Sequence, residues 1–388
     1  MQIKSVKFYI LEGTPSIRHV TSRGRTIDKV PPGLSGLFTH SPGFHSQTPE
    51  EIIEYKDSTP QPTYTLMLRL VTDGGIDAYT NFKSGFNQEE LLWEAKGVKT
   101  TIAPLLLNVD ALDREYIWQR LWYAQRFFYT GRVLVDTIDN MLWDLASRHA
   151  RLPLYKLLGG YRDKIPAYLN IGGVEGAVMA KKQEFKGCKD HFYLGVKKNI
   201  ELAKEIRAAV GDDFLLMHDP VESYTYDDAV KVGRALEKLN YAWMEEPLQD
   251  YDLMGLKKLS DTLDLPILAL EWIGAIGGQP YNASAFLAMQ AVDIVRQRGV
   301  GITGQIKLAH LAESFGVEVH GGNPHVILAI KNDPIFEAPG LVPLPKDAKP
   351  TFQGTMVVEN GYMYIACGDY PVEEPNWDEI ERKALVII

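Results

Sequence analysis

Three short apolar runs in the middle of this chain each end in a carboxylic acid: Phe214-Leu215-Leu216-Met217-His218-Asp219, Tyr241-Ala242-Trp243-Met244-Glu245 and Pro266-Ile267-Leu268-Ala269-Leu270-Glu271. The acids follow one another at 26-residue intervals, about the length of one strand plus one crossover helix. If each run is a strand of one parallel sheet, Asp219, Glu245 and Glu271 emerge at the same rim, and three carboxylates gathered there need a cation. Hard oxygen ligands with room left for water and substrate suit Mg²⁺ better than zinc. Taken singly, each acid also reads as the cap of the helix that follows it. The equal spacing favours the metal set.

The chain has 388 residues, enough for more than one domain, although an α/β barrel takes about 250 by itself. With 45% hydrophobic and 23% charged residues it can bury a large core in water. A net charge of −9 argues against binding a phosphate backbone, so no nucleic-acid partner is expected. Cys188 and Cys367 are too few for a disulfide framework and match no metal spacing. No apolar run reaches membrane-spanning length, and residues 1–11 alternate like a strand rather than a targeting segment. A cytoplasmic protein without a membrane partner is the expectation.

Residues 1–130 read as an α+β capping domain. A strand is expected at 2–10, a hairpin at 64–79 turning on Asp73-Gly74-Gly75, and helices at 88–96 and 111–127. The stretch 21–62 is rich in Gly, Pro, Ser and His and has no periodicity, and so long a loop inside a compact domain is usually functional. Arg25, His40 and His45 lie in it as candidate substrate-binding residues, on the hypothesis that the loop folds over a neighbouring site. A merely solvated loop is the alternative. A helix at 132–151, with Leu134, Ile138, Met141, Leu142 and Leu145 on one face, leads into the next domain.

From 165 onward the pattern is strand then helix. Strands are expected at 165–171, 185–192, 214–221, 241–247, 266–272, 292–297, 317–321 and 334–338, with helices at 196–210, 226–239, 252–263, 283–291 and 303–315 between them. Eight strands with alternating helices, with no switch in strand order and no phosphate loop apparent, point to an α/β fold of the TIM-barrel kind over 131–345. In such barrels the chemistry sits at the C-terminal rim of the strands. A C-terminal segment, 346–388, holds a hairpin turning on Asn360-Gly361 and an apolar end expected to fold back on the cap.

Other rim residues join the carboxylates. Lys189 and His191, two apart at the end of the second strand, project to one side and are each a candidate general base. His320 ends the seventh strand and Glu337 the eighth; Asn323 and His325 follow in the loop after His320. Trp272, next to a proposed ligand, could stack on a sugar face or simply fill space.

In order and spacing these motifs resemble the enolase superfamily, in its mandelate racemase and muconate lactonizing branch. The likeness spans nearly the whole chain and rests on Asp219, the Glu245-Glu246-Pro247 run, Glu271, Leu142-Trp143-Asp144, Pro153, Leu157-Leu158-Gly159-Gly160 and Gly301-Ile302-Thr303. The resemblance implies a modified (β/α)₇β barrel beneath an α+β cap, a homo-oligomer, and Mg²⁺ held by Asp219, Glu245 and Glu271. Family sites use a Lys or His base beside Mg²⁺ to remove the proton α to a carboxylate, giving an enediolate. The metal offsets the charge that builds on the carboxylate oxygens.

Family members commonly carry Lys-x-Lys on the second strand, whereas this chain has Lys189-Asp190-His191. By similarity His191 is the base and Lys189 a cation near the substrate carboxylate, with exchange of the two roles left open. Racemases of the branch pair the seventh-strand histidine with a sixth-strand aspartate; here that region reads Asp293-Ile294-Val295-Arg296-Gln297-Arg298, and Asp293 lies too early. His320 without an orienting acid suits proton delivery, which favours dehydration of a sugar acid to a 2-keto-3-deoxy acid, with Glu337 bonding to the substrate. A racemase, epimerase or lactone cycloisomerase built on the same intermediate is the alternative, and a catalytically silent binding paralogue is the alternative of another class.

Overall fold

A computed structural model of the chain describes residues 1–16, 19–23, 52–56, 59–128, 131–191, 194–275, 277–348, 350, 354–369 and 374–388. Arg25, His40 and His45 lie outside the described residues.

The cap begins with β1 (Ile3–Ser16), the paired strands β2 (His19–Arg23) and β3 (Ile52–Lys56), and then β4 (Gln61–Thr72) and β5 (Ala78–Gly85). β4 and β5 form the expected hairpin, with Gly75 at φ +78° in its turn. The helices α1 (Gln88–Thr101), α2 (Ala103–Leu106) and α3 (Arg114–Phe128) follow. Asn87 caps α1 by accepting from the amides of Glu89 and Glu90, which fixes where the helix starts. Period-2 alternation buries Val6, Phe8 and Ile10 of β1 with Leu66, Leu68 and Leu70 of β4, and the helices close this core from the other side.

The helix α4 (Gly131–Ala150) links the two halves, and α5 (Leu154–Leu157) leads to the first barrel strand. The barrel strands are β6 (Lys164–Ile171), β7 (Gly187–Asp190), β8 (Leu215–His218), β9 (Trp243–Glu245), β10 (Ile267–Ala269), β11 (Ile294–Arg296), β12 (Glu318–His320) and β13 (Phe336–Ala338). All eight expected strands are present, most of them shorter than read, because their last residues already turn into loops. Strands β6 to β12 pair in parallel in sequence order, and β13 returns to pair with β6. Between β12 and β13 the Val319 amide donates to the Asn332 carbonyl at 2.9 Å in place of a ladder.

The intervening helices are α6 (Val174–Lys182), α7 (Val196–Val210), α8 (Tyr226–Lys238), α9 (Leu253–Thr262), α10 (Glu271–Ala275), α11 (Ala283–Ala288), α12 (Gly301–Ser314) and α13 (Pro324–Ala329). Their buried faces and the outward side chains of the strands form one large core. A separate inner cluster of Tyr168, Met217, Trp243, Leu268, Ile294 and Ile335 plugs the barrel. This plug is what the site rests on.

A G-x-G-x-x-G spacing does occur, at Gly299 to Gly304, against the expectation of no such loop. It is not free to cradle a phosphate. The amides of Gly301 and Thr303 are taken by Asp136 and Asp139 of α4, and a Cβ on Gly301 would stand 2.4 Å from Asp139 Oδ2. Those glycines let α12 approach α4.

The C-terminal hairpin β14 (Thr355–Glu359) and β15 (Tyr362–Ala366) turns on Asn360 and Gly361, both at positive φ, and extends the barrel sheet by pairing β15 with the start of β6. After α14 (Trp377–Lys383), β16 (Val386–Ile387) pairs with β1, so the apolar end completes the cap sheet. Among the described residues no helix is long and apolar enough to cross a membrane.

Candidate active site

The strand period builds the site directly above the plug. Tyr168, Met217, Trp243, Ile294 and Ile335 point inward, and two residues further on stand Asn170, Asp219, Glu245, Arg296 and Glu337. Lys189 joins this layer from β7, while its neighbour Asp190 faces the other way and meets His218 Nδ1 at 2.5 Å. The chain reaches Glu271 through Leu270, whose φ of +84° ends β10 and starts α10. Trp272 therefore lies in that short helix and not at the end of a strand as expected; it is half-buried.

The ammonium of Lys189 is buried at the centre. It stands 2.8 Å from Glu245 Oε2, 3.1 Å from Asp219 Oδ2 and 3.7 Å from Glu337 Oε2. Burial opposes its charge, but Glu245 and the other anions around it win and raise its proton affinity well above the ordinary lysine value. His191, at the exposed rim, places Nε2 3.3 Å from Asp219 Oδ2. Both candidate bases thus meet the same carboxylate.

Arg296 is the second cation, and sequence reasoning gave it no role. Its guanidinium lies 2.7 Å from Glu337 Oε2, 3.0 Å from Glu271 Oε2 and 3.6 Å from Glu245 Oε1. Arg298 also pairs with Glu271. Burial pushes the carboxyls of Glu245 and Glu337 up, yet Lys189 and Arg296 hold both below the usual carboxylate range. Asp219 goes the other way: burial raises it and Lys189 only partly offsets this. Asn170 donates to Glu337 Oε1 at 2.7 Å and fixes its rotamer.

His320 is buried between Tyr168 and Trp243, with ring centroids 5.6 and 5.3 Å away. Its Nε2 meets the Tyr168 hydroxyl at 2.8 Å. On the other ring nitrogen, Asp333 Oδ1 stands 3.6 Å from Nδ1. The expectation that His320 lacks an acid is corrected here: the partner comes from the segment before β13 instead of from β11. A carboxylate thirteen residues downstream gives no periodic signal, which is why the sequence did not reveal it.

Asn323 caps α13 by accepting from the His325 amide. The Tyr155 ring of α5 lies 6.5 Å from that of His325 between centroids, and burial lowers the imidazole to about 4, so it is neutral at physiological pH.

The three expected metal ligands are not gathered on one point. Asp219 and Glu245 meet at Lys189, whereas Glu271 is turned to the two arginines; among the described residues no set of three such side chains stands close enough to hold an ion. The donor chemistry nevertheless fits a hard divalent cation, since every donor is a carboxylate oxygen. The adjacent buried Glu246 has an Oε1 without a hydrogen-bond partner among the described residues, and burial and its anionic neighbours push its carboxyl well up. Positive charge is in demand at this spot.

A two-layer cap over a parallel barrel with acids at consecutive strand ends defines an α/β-barrel enzyme class. Residues 174–368 match the family described as enolase C-terminal domain-like, and residues 53–159 match the N-terminal domain of mandelate racemase and muconate lactonizing enzyme. The chain belongs to the mandelate racemase and muconate lactonizing branch of the enolase superfamily. It is 28% identical over 302 residues to arabinonate dehydratase of Saccharolobus solfataricus, covering 69% of this chain and 77% of that enzyme. It is 31% identical over 234 residues to L-talarate/galactarate dehydratase of Salmonella typhimurium, covering 55% and 57%. In structure it is similar to D-glucarate dehydratase from Agrobacterium tumefaciens complexed with magnesium, with a TM-score of 0.70, 26% identity and full coverage of both chains.

Proposed function

We propose that this protein dehydrates a sugar acid with Mg²⁺ bound by Asp219, Glu245 and Glu271. The observation that carries the reading is the presence of two separate histidines beside one carboxylate cluster: His191 at the open rim and His320 in the buried wall with Asp333. A β-elimination needs both, one to take the α-proton and one to give a proton to the departing hydroxyl. Relatives that act as arabinonate, galactarate and glucarate dehydratases support the same choice.

His191 removes the proton α to the substrate carboxylate, and Lys189 supplies a fixed positive charge against that carboxylate. Asp333 faces the His320 ring at Nδ1, and Nε2, which meets the Tyr168 hydroxyl, turns from it to give its proton to the β-hydroxyl as it leaves. Glu337, itself held by Asn170 and Arg296, accepts a hydrogen bond from the substrate. The product is a 2-keto-3-deoxy acid. When bound, the divalent cation supplies charge neutralisation at the substrate carboxylate.

The test is a screen of the purified protein with Mg²⁺ against mono- and diacid sugars, with semicarbazide detecting 2-keto-3-deoxy products. A signal abolished by EDTA is expected; a blank across the library with Mg²⁺ bound would overturn dehydration. The Asp333–His320 pair also equips a two-base epimerase, and deuterium from solvent in recovered substrate would favour that reading instead.

A further inference from the structure

Beside Arg296 the rim opens into a cavity of about 440 Å³, within the range of small-ligand sites. It lies between the loops after β11 and β12 and the helix α4. Asn140, Gln297, Arg298, Gln305 and Asn323 line it together with Arg296, so it adjoins the carboxylate cluster.

Three buried atoms in this wall have no hydrogen-bond partner among the described residues: Oε1 of Gln297, Oδ1 of Asn140 and Nη1 of Arg296, the last 3.6 Å from Glu245 Oε1. Gln297 itself is 1% exposed. Its amide is oriented, because Nε2 donates to the Gly321 carbonyl at 3.3 Å and the flipped group would set two oxygens against each other. Gln305 is committed as well, with Oε1 accepting from the Asn323 amide at 2.8 Å. Gly322, at φ +94°, keeps the space open; a Cβ there would stand 2.7 Å from Gln305 Oε1 and 2.9 Å from Gln297 Nε2.

Two of these three atoms are acceptors, and a buried acceptor left unpaired is costly. A hydroxyl serves the acceptors by donating and the guanidinium by accepting, whereas a carboxylate has no proton to give and serves the guanidinium alone. Both cations in the wall are already engaged, Arg296 with Glu337 and Glu271 and Arg298 with Glu271, and Asp136 adds a carboxylate to the lining. We propose that this cavity is the subsite for the polyol tail of the substrate, that Asn140 and Gln297 read its hydroxyls, and that the preferred substrate is an aldonic monoacid over an aldaric diacid. This rests on the sugar-acid reading above.

The experiment is calorimetric binding to the Mg²⁺-loaded protein of D-gluconate and other six-carbon aldonates, of their diacids, and of 2,3-dihydroxybutanoate, which lacks the tail. The best aldonate is expected to bind more tightly than its diacid. Asn140→Leu and Gln297→Leu should each reduce the affinity ratio of that aldonate to 2,3-dihydroxybutanoate by about tenfold, the scale of one neutral hydrogen bond. Asn140→Asp keeps an acceptor and should retain the ratio.

Tighter binding of the diacids, an unchanged ratio in both Leu variants, or no binding by any acid would overturn the proposal. Should Gln297→Leu not fold, the two Asn140 variants carry the test. Semicarbazide turnover is scored separately. Tail-dependent binding without turnover removes dehydration and keeps the subsite, and turnover without tail dependence does the reverse.

Discussion

Asp333 Oδ1 lies 3.6 Å from Nδ1 of His320, both side chains buried, while the opposite ring nitrogen meets the Tyr168 hydroxyl. The second carboxylate oxygen of Asp333 accepts from the Gly321 amide at 3.1 Å, which anchors the acid to the loop that follows the histidine. Both ring nitrogens are thus engaged, so proton delivery from Nε2 requires the substrate to displace the Tyr168 hydroxyl from it.

His320→Asn is expected to lower kcat for dehydration by about 10²–10⁴-fold, the range for losing a general acid. Asp333→Asn keeps the shape and should cost less, about tenfold in kcat with little change in KM, because it disturbs orientation alone. Steady-state kinetics on the substrate found in the screen distinguish the two; equal losses in both variants would mean that Asp333 does more than orient.

Arg296 faces Glu245, Glu271 and Glu337 at once. Removing one partner from a buried ion cluster typically costs about 3–5 kcal/mol. Arg296→Met should lower the melting temperature of EDTA-treated protein by several degrees, and Mg²⁺ should recover more stability in the variant than in the natural chain. A variant as stable as the parent without metal would show that Lys189 alone balances the carboxylates.

Asp139 is fully buried and accepts from the Thr303 amide and hydroxyl at 2.8 and 2.7 Å. Burial lifts its carboxyl from 3.8 to about 7, more than these bonds lower it. In the unfolded chain the proton is lost near the ordinary value, so between about pH 4 and 7 the folded state holds more protons and stability falls as pH rises. Asp139→Asn abolishes that fall, and the stability difference between the two proteins should change by at most about 1.4 kcal/mol per pH unit across the window. Denaturation at pH 5 and pH 7 checks it; parallel profiles would place the carboxyl back in the ordinary range.

Trp118 of α3 ties the cap to the loop after β11, its buried indole donating to the Val300 carbonyl at 2.6 Å. Trp118→Ala should destabilise by about 3–5 kcal/mol through lost core volume, and Trp118→Phe by about 1–2 kcal/mol, chiefly the bond. Urea titrations that give the two variants equal losses would mean the hydrogen bond, and not the volume, dominates.

Local pattern alone determined the eight barrel strands, most of the helices and the hairpins at 64–79 and 360–361, because period and turn residues are properties of neighbours in the chain. It also marked Asp219, Glu245, Glu271, Lys189, His320 and Glu337 as strand-end residues, since a strand that stops at a rim announces its last side chain. Tertiary structure decided what those residues meet. Arg296 occupies the place where an acid was sought, because the loop after β11 is short and its strand ends two residues above Ile294 of the plug. Asp333 reaches His320 only because the segment before β13 runs alongside β12. Pairings of that kind depend on which strands lie side by side, and no spacing along one chain encodes the distance across a barrel.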